Sequence, residues 1–222
     1  MSDYLATRDR VETYFDRSAT KVWERLTSDA PVSRIRQTVR EGRDRMRATM
    51  LSRLPANLRG ARVLDAGCGA GQMTAELAAR GAEVTAVDIS PALVEIARAR
   101  LPAAHGARVR FASGDMLDDG LGAFDFVLAM DSMIYYSELD IARSLDRLGA
   151  RTSGAVVFTM APRTPLLMAF WGMGQMFPRA DRSPTMVPHA FDRLNRATGN
   201  RLARVGRVSR GFYISECLEF RP

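Results

Sequence analysis

The sequence predicts an α/β protein: a mostly parallel, seven-stranded sheet with helices on both faces and a helical arm ahead of it. Three observations carry that prediction. Between residues 61 and 160, short apolar runs alternate with amphipathic stretches of helical period, the pattern of a parallel sheet that must cover both its faces. A turn with three glycines joins the first of these runs to the first helix. The chain ends in two β-patterned runs separated only by Arg210 and Gly211, the spacing of a hairpin that adds an antiparallel edge.

The elements follow in order. Val11, Tyr14, Phe15, Val22, Trp23 and Leu26 fall on one helical stripe, and Ile35, Val39, Met46 and Leu54 on a second; both read as core against the sheet. Asp16 to Thr20 breaks the first helix, and residues 55–60 mark the entrance to the sheet. Residues 61–66 form the first strand and 72–80 a helix closed by Gly81. A second strand covers 83–87. Ser90 then caps a helix whose first residue is Pro91, running to about Leu101. Residues 108–112 and 124–130 are the third and fourth strands, the latter apolar enough to be buried on both faces. A helix over 138–148, a strand over 155–160 and a helix over 188–198 lead to the hairpin strands 202–209 and 212–220. The expected division is a helical arm or cap at 1–58 and a sheet domain at 59–222, with an insertion at about 161–190.

Composition excludes several classes. With 222 residues, 46% hydrophobic and 26% charged, the chain is neither disordered, collagenous nor a disulfide scaffold. Its longest uncharged apolar run, 164–177, is too short to span a bilayer, and the first residues do not read as a secretory signal. Cys68 and Cys217 lie far apart with no CxxC spacing, so a reducing cytoplasm and no structural metal are expected. His105 and His189 read as surface residues in a loop and near a helix start, and make no metal cluster. The net charge is +7, and 31 of the 32 basic residues are arginine. It is unevenly placed: 13 bases against 8 acids in residues 1–60, 9 against 13 in 61–160, and 10 against 4 in 161–222. Basic ends flanking an acidic centre suit an anionic partner.

The sharpest local signal is Val63-Leu64-Asp65-Ala66-Gly67-Cys68-Gly69-Ala70-Gly71. Glycines at a strand end let backbone approach a ligand closely. The spacing is GxGxG, not the GxGxxG of a dinucleotide site, and an acid ahead of the first glycine suits a cationic ligand better than phosphates. Asp88, at the second strand's end, is placed to accept two ribose hydroxyls. Gly114-Asp115-Met116 follows the third strand, where an acid and an apolar neighbour grip an adenine edge and face; Met130-Asp131-Ser132 closes the fourth.

These four motifs, in order at the strand ends, resemble the Rossmann-like class I methyltransferases that use S-adenosylmethionine. The resemblance implies that Ala66, Gly67, Gly69 and Gln72 hold the methionine part and the sugar. It places Asp88 and Ile89 on ribose and adenine, Asp115 and Met116 on adenine, Met130 near the sulfur, and Asp65 as loop organiser and ammonium attractor. The stretch after the fourth strand, Met130 to Tyr136, lacks the proline of base N-methyltransferases, and no RNA-binding module is recognisable, which argues against nucleic acid.

Further stretches narrow the likeness. Tyr14-Phe15-Asp16, Trp23-Glu24-Arg25-Leu26, Val39-Arg40-Glu41-Gly42-Arg43, Met130 to Tyr136 and Arg210-Gly211-Phe212-Tyr213-Ile214-Ser215 together resemble the magnesium-protoporphyrin IX methyltransferases of chlorophyll and bacteriochlorophyll synthesis. That family esterifies the substrate's 13-propionate, and the magnesium belongs to the substrate, so no protein-bound metal is implied. The chemistry asks little: a propionate is already ionised at neutral pH, so alignment and removal of water matter more than a strong base. The resemblance assigns catalytic roles to Tyr14 and to Tyr135, which stands where many relatives carry His. It also implies contact with the porphyrin-binding subunit of magnesium chelatase. Leu166, Leu167, Met168, Phe170, Trp171, Met173, Met176 and Phe177 read as a cover for a flat porphyrin. Flanked by Arg163, Arg179 and Arg182, they also suit peripheral contact with an anionic photosynthetic membrane. Two other readings stay open: methylation of another amphipathic metabolite, such as a quinone precursor or phenol, and a porphyrin carrier that has lost catalysis.

Overall fold

Serine hydroxyls start three of the helices. Ser33, Ser90 and Ser137 each stand in extended backbone, and each side chain accepts the N–H three residues on, from Arg36, Leu93 and Asp140. In the computed structural model, which describes residues 2–16, 33–165, 167, 168, 172 and 185–222, the elements are α1 (Ser2–Tyr14), α2 (Arg34–Leu51), β1 (Arg62–Ala66), α3 (Gln72–Ala79), β2 (Glu83–Asp88), α4 (Pro91–Arg100), β3 (Val109–Ser113), β4 (Phe124–Ala129), α5 (Glu138–Gly149), β5 (Thr152–Met160), α6 (Phe191–Ala197), β6 (Leu202–Arg210) and β7 (Tyr213–Phe220).

The seven strands lie in the order β3-β2-β1-β4-β5-β7-β6. β1 to β5 are parallel, and β7 is antiparallel to both β5 and β6. The predicted hairpin forms, but its second strand is not an edge. β7 slots between β5 and β6, leaving β6 outermost. Composition explains the choice: β7 is buried along nearly its whole length, whereas β6 carries Arg204, Arg207 and Arg210, which suit an edge.

Alternation along each strand makes two cores. Leu64, Ala66, Val127, Ala129, Val156, Phe158, Leu218 and Phe220 face one side with α5 and α6. Val63, Val84, Leu128, Val157 and Cys217 face the other with α2 and α3. Each fully buried Leu or Phe contributes about 1.5–3 kcal/mol. Order reverses between β1 and β4, which opens a crevice at their carboxyl ends.

Several expectations change. Of the second stripe, Met46 and Leu54 are buried, but Ile35 is 56% exposed, in the first turn of α2, a helix that buries no residue before Gly42. His189 is not a surface residue. It is 3% exposed, its Nε2 lies 3.0 Å from the Tyr136 carbonyl, and its N–H donates to Ala161. His105 is half-buried, with no partner on Nδ1. Val22, Trp23 and Leu26, and all the cover residues except Leu167 and Met168, lie outside the described residues. Among the described residues no helix is long and apolar enough to cross a membrane, and no cluster of metal-ligating side chains occurs.

Candidate active site

The carboxyl ends of β1, β2, β3 and β4 open on a cavity of about 970 Å³, counted to its open mouth. The glycine loop forms its floor. The N–H groups of Gly67 and Cys68 both donate to the Val87 carbonyl, at 2.8 and 2.9 Å, so the loop folds back over β2. Ser132 ties it to β4, its hydroxyl donating to the Ala66 carbonyl at 2.8 Å. Gly67 has φ +85°, and a Cβ there would lie 2.4 Å from Ser132 Cβ. Only glycine serves at that position.

Three carboxylates line the cavity at the ends of β1, β2 and β3, each fixed by donors. Asp65 is buried at the end of β1 and accepts the Thr74 hydroxyl. Burial, and then the charge of Asp88, push its pKa up to about 7 despite that bond. Asp88 accepts the Gly69 N–H at 2.8 Å on one oxygen and the Ser90 N–H at 3.0 Å on the other. Its carboxyl is also raised by burial. Asp115 accepts the Tyr4 hydroxyl at 2.7 Å and the Leu117 N–H at 2.9 Å, with Arg8 at 3.4 Å. The Tyr4 ring stacks on Tyr136 at 4.9 Å, which seats α1 over the adenine end expected from the sequence.

Most of the residues singled out by sequence converge here. Asp65, Gly67, Gly69, Gln72, Asp88, Ile89, Asp115, Met116, Met130 and Tyr135 all line the cavity. Ala66 contributes only the carbonyl that Ser132 bonds. Tyr14 stands one ring back: it meets Phe15 edge-on at 5.2 Å, and Phe15, which lines the cavity, meets Tyr135 at 6.5 Å. Burial, with the charge of Asp131, raises the Tyr135 phenol above its usual range, so its hydroxyl keeps its proton.

One cluster was not anticipated. Arg43 on α2 pairs with Asp131, just past β4, and both line the cavity. Asp131 also accepts the Thr159 hydroxyl at 3.1 Å and the Tyr213 hydroxyl at 3.1 and 3.3 Å. All these residues but Thr159 sit in stretches that carry the family likeness, which was the available signal; nothing in the sequence joined them to one another.

A sheet of this order, with a GxGxG loop and an acid at the end of each of the next two strands, defines the protein as a class I methyltransferase dependent on S-adenosylmethionine. A family model described as "Methyltransferase domain" matches residues 63–151, and one described as "Magnesium-protoporphyrin IX methyltransferase C-terminus" matches 129–222. The magnesium-protoporphyrin O-methyltransferase of Rhodobacter capsulatus is 61% identical over 222 residues, covering 100% of this chain and 99% of that one. The crystal structure of magnesium protoporphyrin IX methyltransferase from Synechocystis PCC 6803 with bound S-adenosylhomocysteine superposes with a TM-score of 0.80 at 27% identity, over 96% of this chain and 98% of that one. A ubiquinone biosynthesis O-methyltransferase of Xanthomonas oryzae is 35% identical, but over only 53% of this chain and 50% of its own. The chain belongs to the magnesium-protoporphyrin O-methyltransferase family.

Proposed function

We propose that this chain transfers the methyl group of S-adenosylmethionine to the 13-propionate carboxylate of magnesium protoporphyrin IX, giving the monomethyl ester in (bacterio)chlorophyll synthesis. The observation that carries the reading is the 61% identity to the Rhodobacter enzyme along the whole chain, arm and tail included.

The cavity suits the cofactor. The cradle at Gly67 admits ligand backbone-close, and Asp65 offers a buried carboxylate that an ammonium group would favour in its ionised form. Asp88 is oriented toward the ribose by its two N–H donors, and Asp115 and Met116 take the adenine side. When bound, the cofactor supplies an electrophilic methyl group on a sulfonium. The chain's residues orient the nucleophile and keep water away. Tyr135 donates to the propionate, and Tyr14 supports it through the Phe15 ring. Among the described residues no histidine borders the cavity, and its four aspartates are engaged by the donors named above. That arrangement favours a carboxylate, which arrives ionised, over a phenol, which must lose a proton near pH 10.

The same reading carries peripheral membrane contact and contact with the porphyrin-binding subunit of magnesium chelatase, checked by vesicle flotation and by co-purification. A substrate panel tests the main claim: methyl-labelled cofactor with magnesium protoporphyrin, with a catechol quinone precursor, and with neither. Label in the catechol alone would overturn the reading, and tight porphyrin binding without turnover would favour the carrier.

A further inference from the structure

The proposed reaction brings two carboxylates to one cavity, one on the cofactor's methionine moiety and one on the substrate. Among the described residues three guanidinium groups line that cavity: Arg8, Arg43 and Arg47. Arg8 pairs with Asp9 and Asp115 near the surface, and Arg47 with Asp44 and Glu76, both largely exposed. Arg43 differs in its partner. Its side chain is 13% exposed, as is that of Arg47, but Asp131 is only 9% exposed, against 49% and 46% for Asp44 and Glu76. The desolvation cost of such a pair is seldom more than balanced by its attraction, so stability alone is a poor account of it.

The support behind the pair is extensive. Asp131 is a non-glycine residue in left-handed backbone, φ +57°, a strain that persists only where surroundings impose it. Its N–H donates to Thr159 Oγ1 at 2.7 Å, and its carboxylate accepts from Thr159, Tyr213 and Arg43. A carboxylate so engaged is not a base. It fixes a guanidinium. The next residue, Ser132, bonds Ala66 and packs against Gly67, so the pair stands beside the glycine loop.

We propose that Arg43 is the carboxylate-binding residue of this cavity, and that Asp131, Thr159 and Tyr213 are positioning residues that aim its guanidinium at the ligand. A planar guanidinium gives a carboxylate two parallel charge-assisted hydrogen bonds. The methionine carboxylate and the propionate share that chemistry. The propionate alternative rests on the reaction proposed above; the methionine alternative rests on cofactor binding alone.

The test uses the full chain and three probes. S-adenosylhomocysteine carries the amino-acid carboxylate, methylthioadenosine lacks it, and magnesium protoporphyrin carries the propionates. Binding is measured for the wild type, Arg43→Gln, and the double variant Arg43→Gln with Asp131→Asn, which leaves no orphaned charge and keeps the test open if the single variant unfolds. The Kd of one carboxylate ligand is expected to rise roughly 10- to 100-fold while methylthioadenosine stays within about twofold. Loss for S-adenosylhomocysteine assigns the methionine carboxylate; loss for porphyrin alone assigns the propionate. Arg43→Lys restores only part of the affinity, because an ammonium cannot form the parallel pair. Carboxylate ligands binding the folded double variant as tightly as wild type, or methylthioadenosine weakening equally with S-adenosylhomocysteine, would overturn the proposal. If wild type makes no ester yet Arg43→Gln selectively weakens S-adenosylhomocysteine, the substrate reading fails and this assignment stands.

Discussion

The ring of Tyr213 occupies the place where a side chain at position 42 would begin: a Cβ on Gly42 would lie 2.7 Å from its Cδ1. Residue 42 on α2 and residue 213 at the start of β7 thus fix how closely helix and hairpin approach. Arg210 and Glu41 pair beside them at 2.9 Å. The contact brings Arg43, next to Gly42, and the Tyr213 hydroxyl onto the same carboxylate, Asp131. Gly42→Ala is expected to cost about 1–3 kcal/mol, as overpacking does, and to lower turnover further by displacing Arg43. Denaturant unfolding and steady-state kinetics read the two effects. Adding Tyr213→Ala should relieve the crowding without restoring full turnover.

The ammonium contact proposed for Asp65 predicts a pH-dependent affinity for the cofactor. The folded-state pKa of Asp65, about 7, lies above the ordinary 3.8, so the empty folded protein holds a proton that the unfolded chain has released. This contribution to stability therefore falls as pH rises from about 4 to 7 and flattens above. An ammonium-bearing ligand favours the ionised carboxyl, so binding releases a proton below pH 7. Affinity for S-adenosylhomocysteine should rise with pH up to about 7 and then level. Calorimetry in buffers of different ionisation heat counts the proton, and Asp65→Asn should abolish the slope.

The ribose contact proposed for Asp88 predicts that Asp88→Ala weakens S-adenosylhomocysteine roughly 10- to 100-fold, the loss of hydrogen bonds to a charged group. Equilibrium binding reads it directly. Unchanged affinity would place the nucleoside elsewhere.

Tyr135→Phe removes a donor and leaves a ring of similar shape. Turnover should fall roughly 5- to 10-fold, one oriented hydrogen bond, with S-adenosylhomocysteine affinity unchanged. Because the phenol is raised by burial and the Asp131 charge, the wild-type pH–rate profile should show no ionisation of Tyr135 near pH 10. Tyr14→Phe tests the ring behind it, and unchanged turnover in both variants would end their assigned roles.

His189 adds an acid-sensitive contribution. Burial holds its imidazole below the usual 6.5, so it folds neutral while the unfolded chain protonates near that pH. Its contribution is complete above about pH 6.5 and is lost as pH falls through that window. Thermal melts between neutral and mildly acid pH should show a shallower decline for His189→Gln.

What the sequence revealed follows the range of the forces involved. The glycine loop, Asp65, Asp88 and Asp115 lie at strand ends, and strand ends are marked by local pattern, so their meeting in one cavity was legible. The positions of Ser90 and Pro91 mark α4 for the same reason. Arg43, Asp131 and Tyr213 are separated by 88 and 82 residues of chain, and only the placement of β7 inside the sheet brings them together. That placement depends on which hairpin strand is more buried, a tertiary competition that a hairpin signal does not express. His189 is held inside by Pro162 and the Tyr136 carbonyl, contacts that neighbouring residues in the sequence do not announce. Ile35 keeps the helical period of its stripe but lies in a part of α2 that buries no side chain, which periodicity alone does not express.

The most direct measurement follows the methyl group. Incubating the protein with methyl-labelled S-adenosylmethionine and magnesium protoporphyrin should place one label on the porphyrin, released as methanol by mild base, the behaviour of a carboxylate ester. A porphyrin with both propionates already esterified should take up no label. Label that survives base, label in the pre-esterified porphyrin, or no transfer by folded protein that binds both ligands would contradict the assignment.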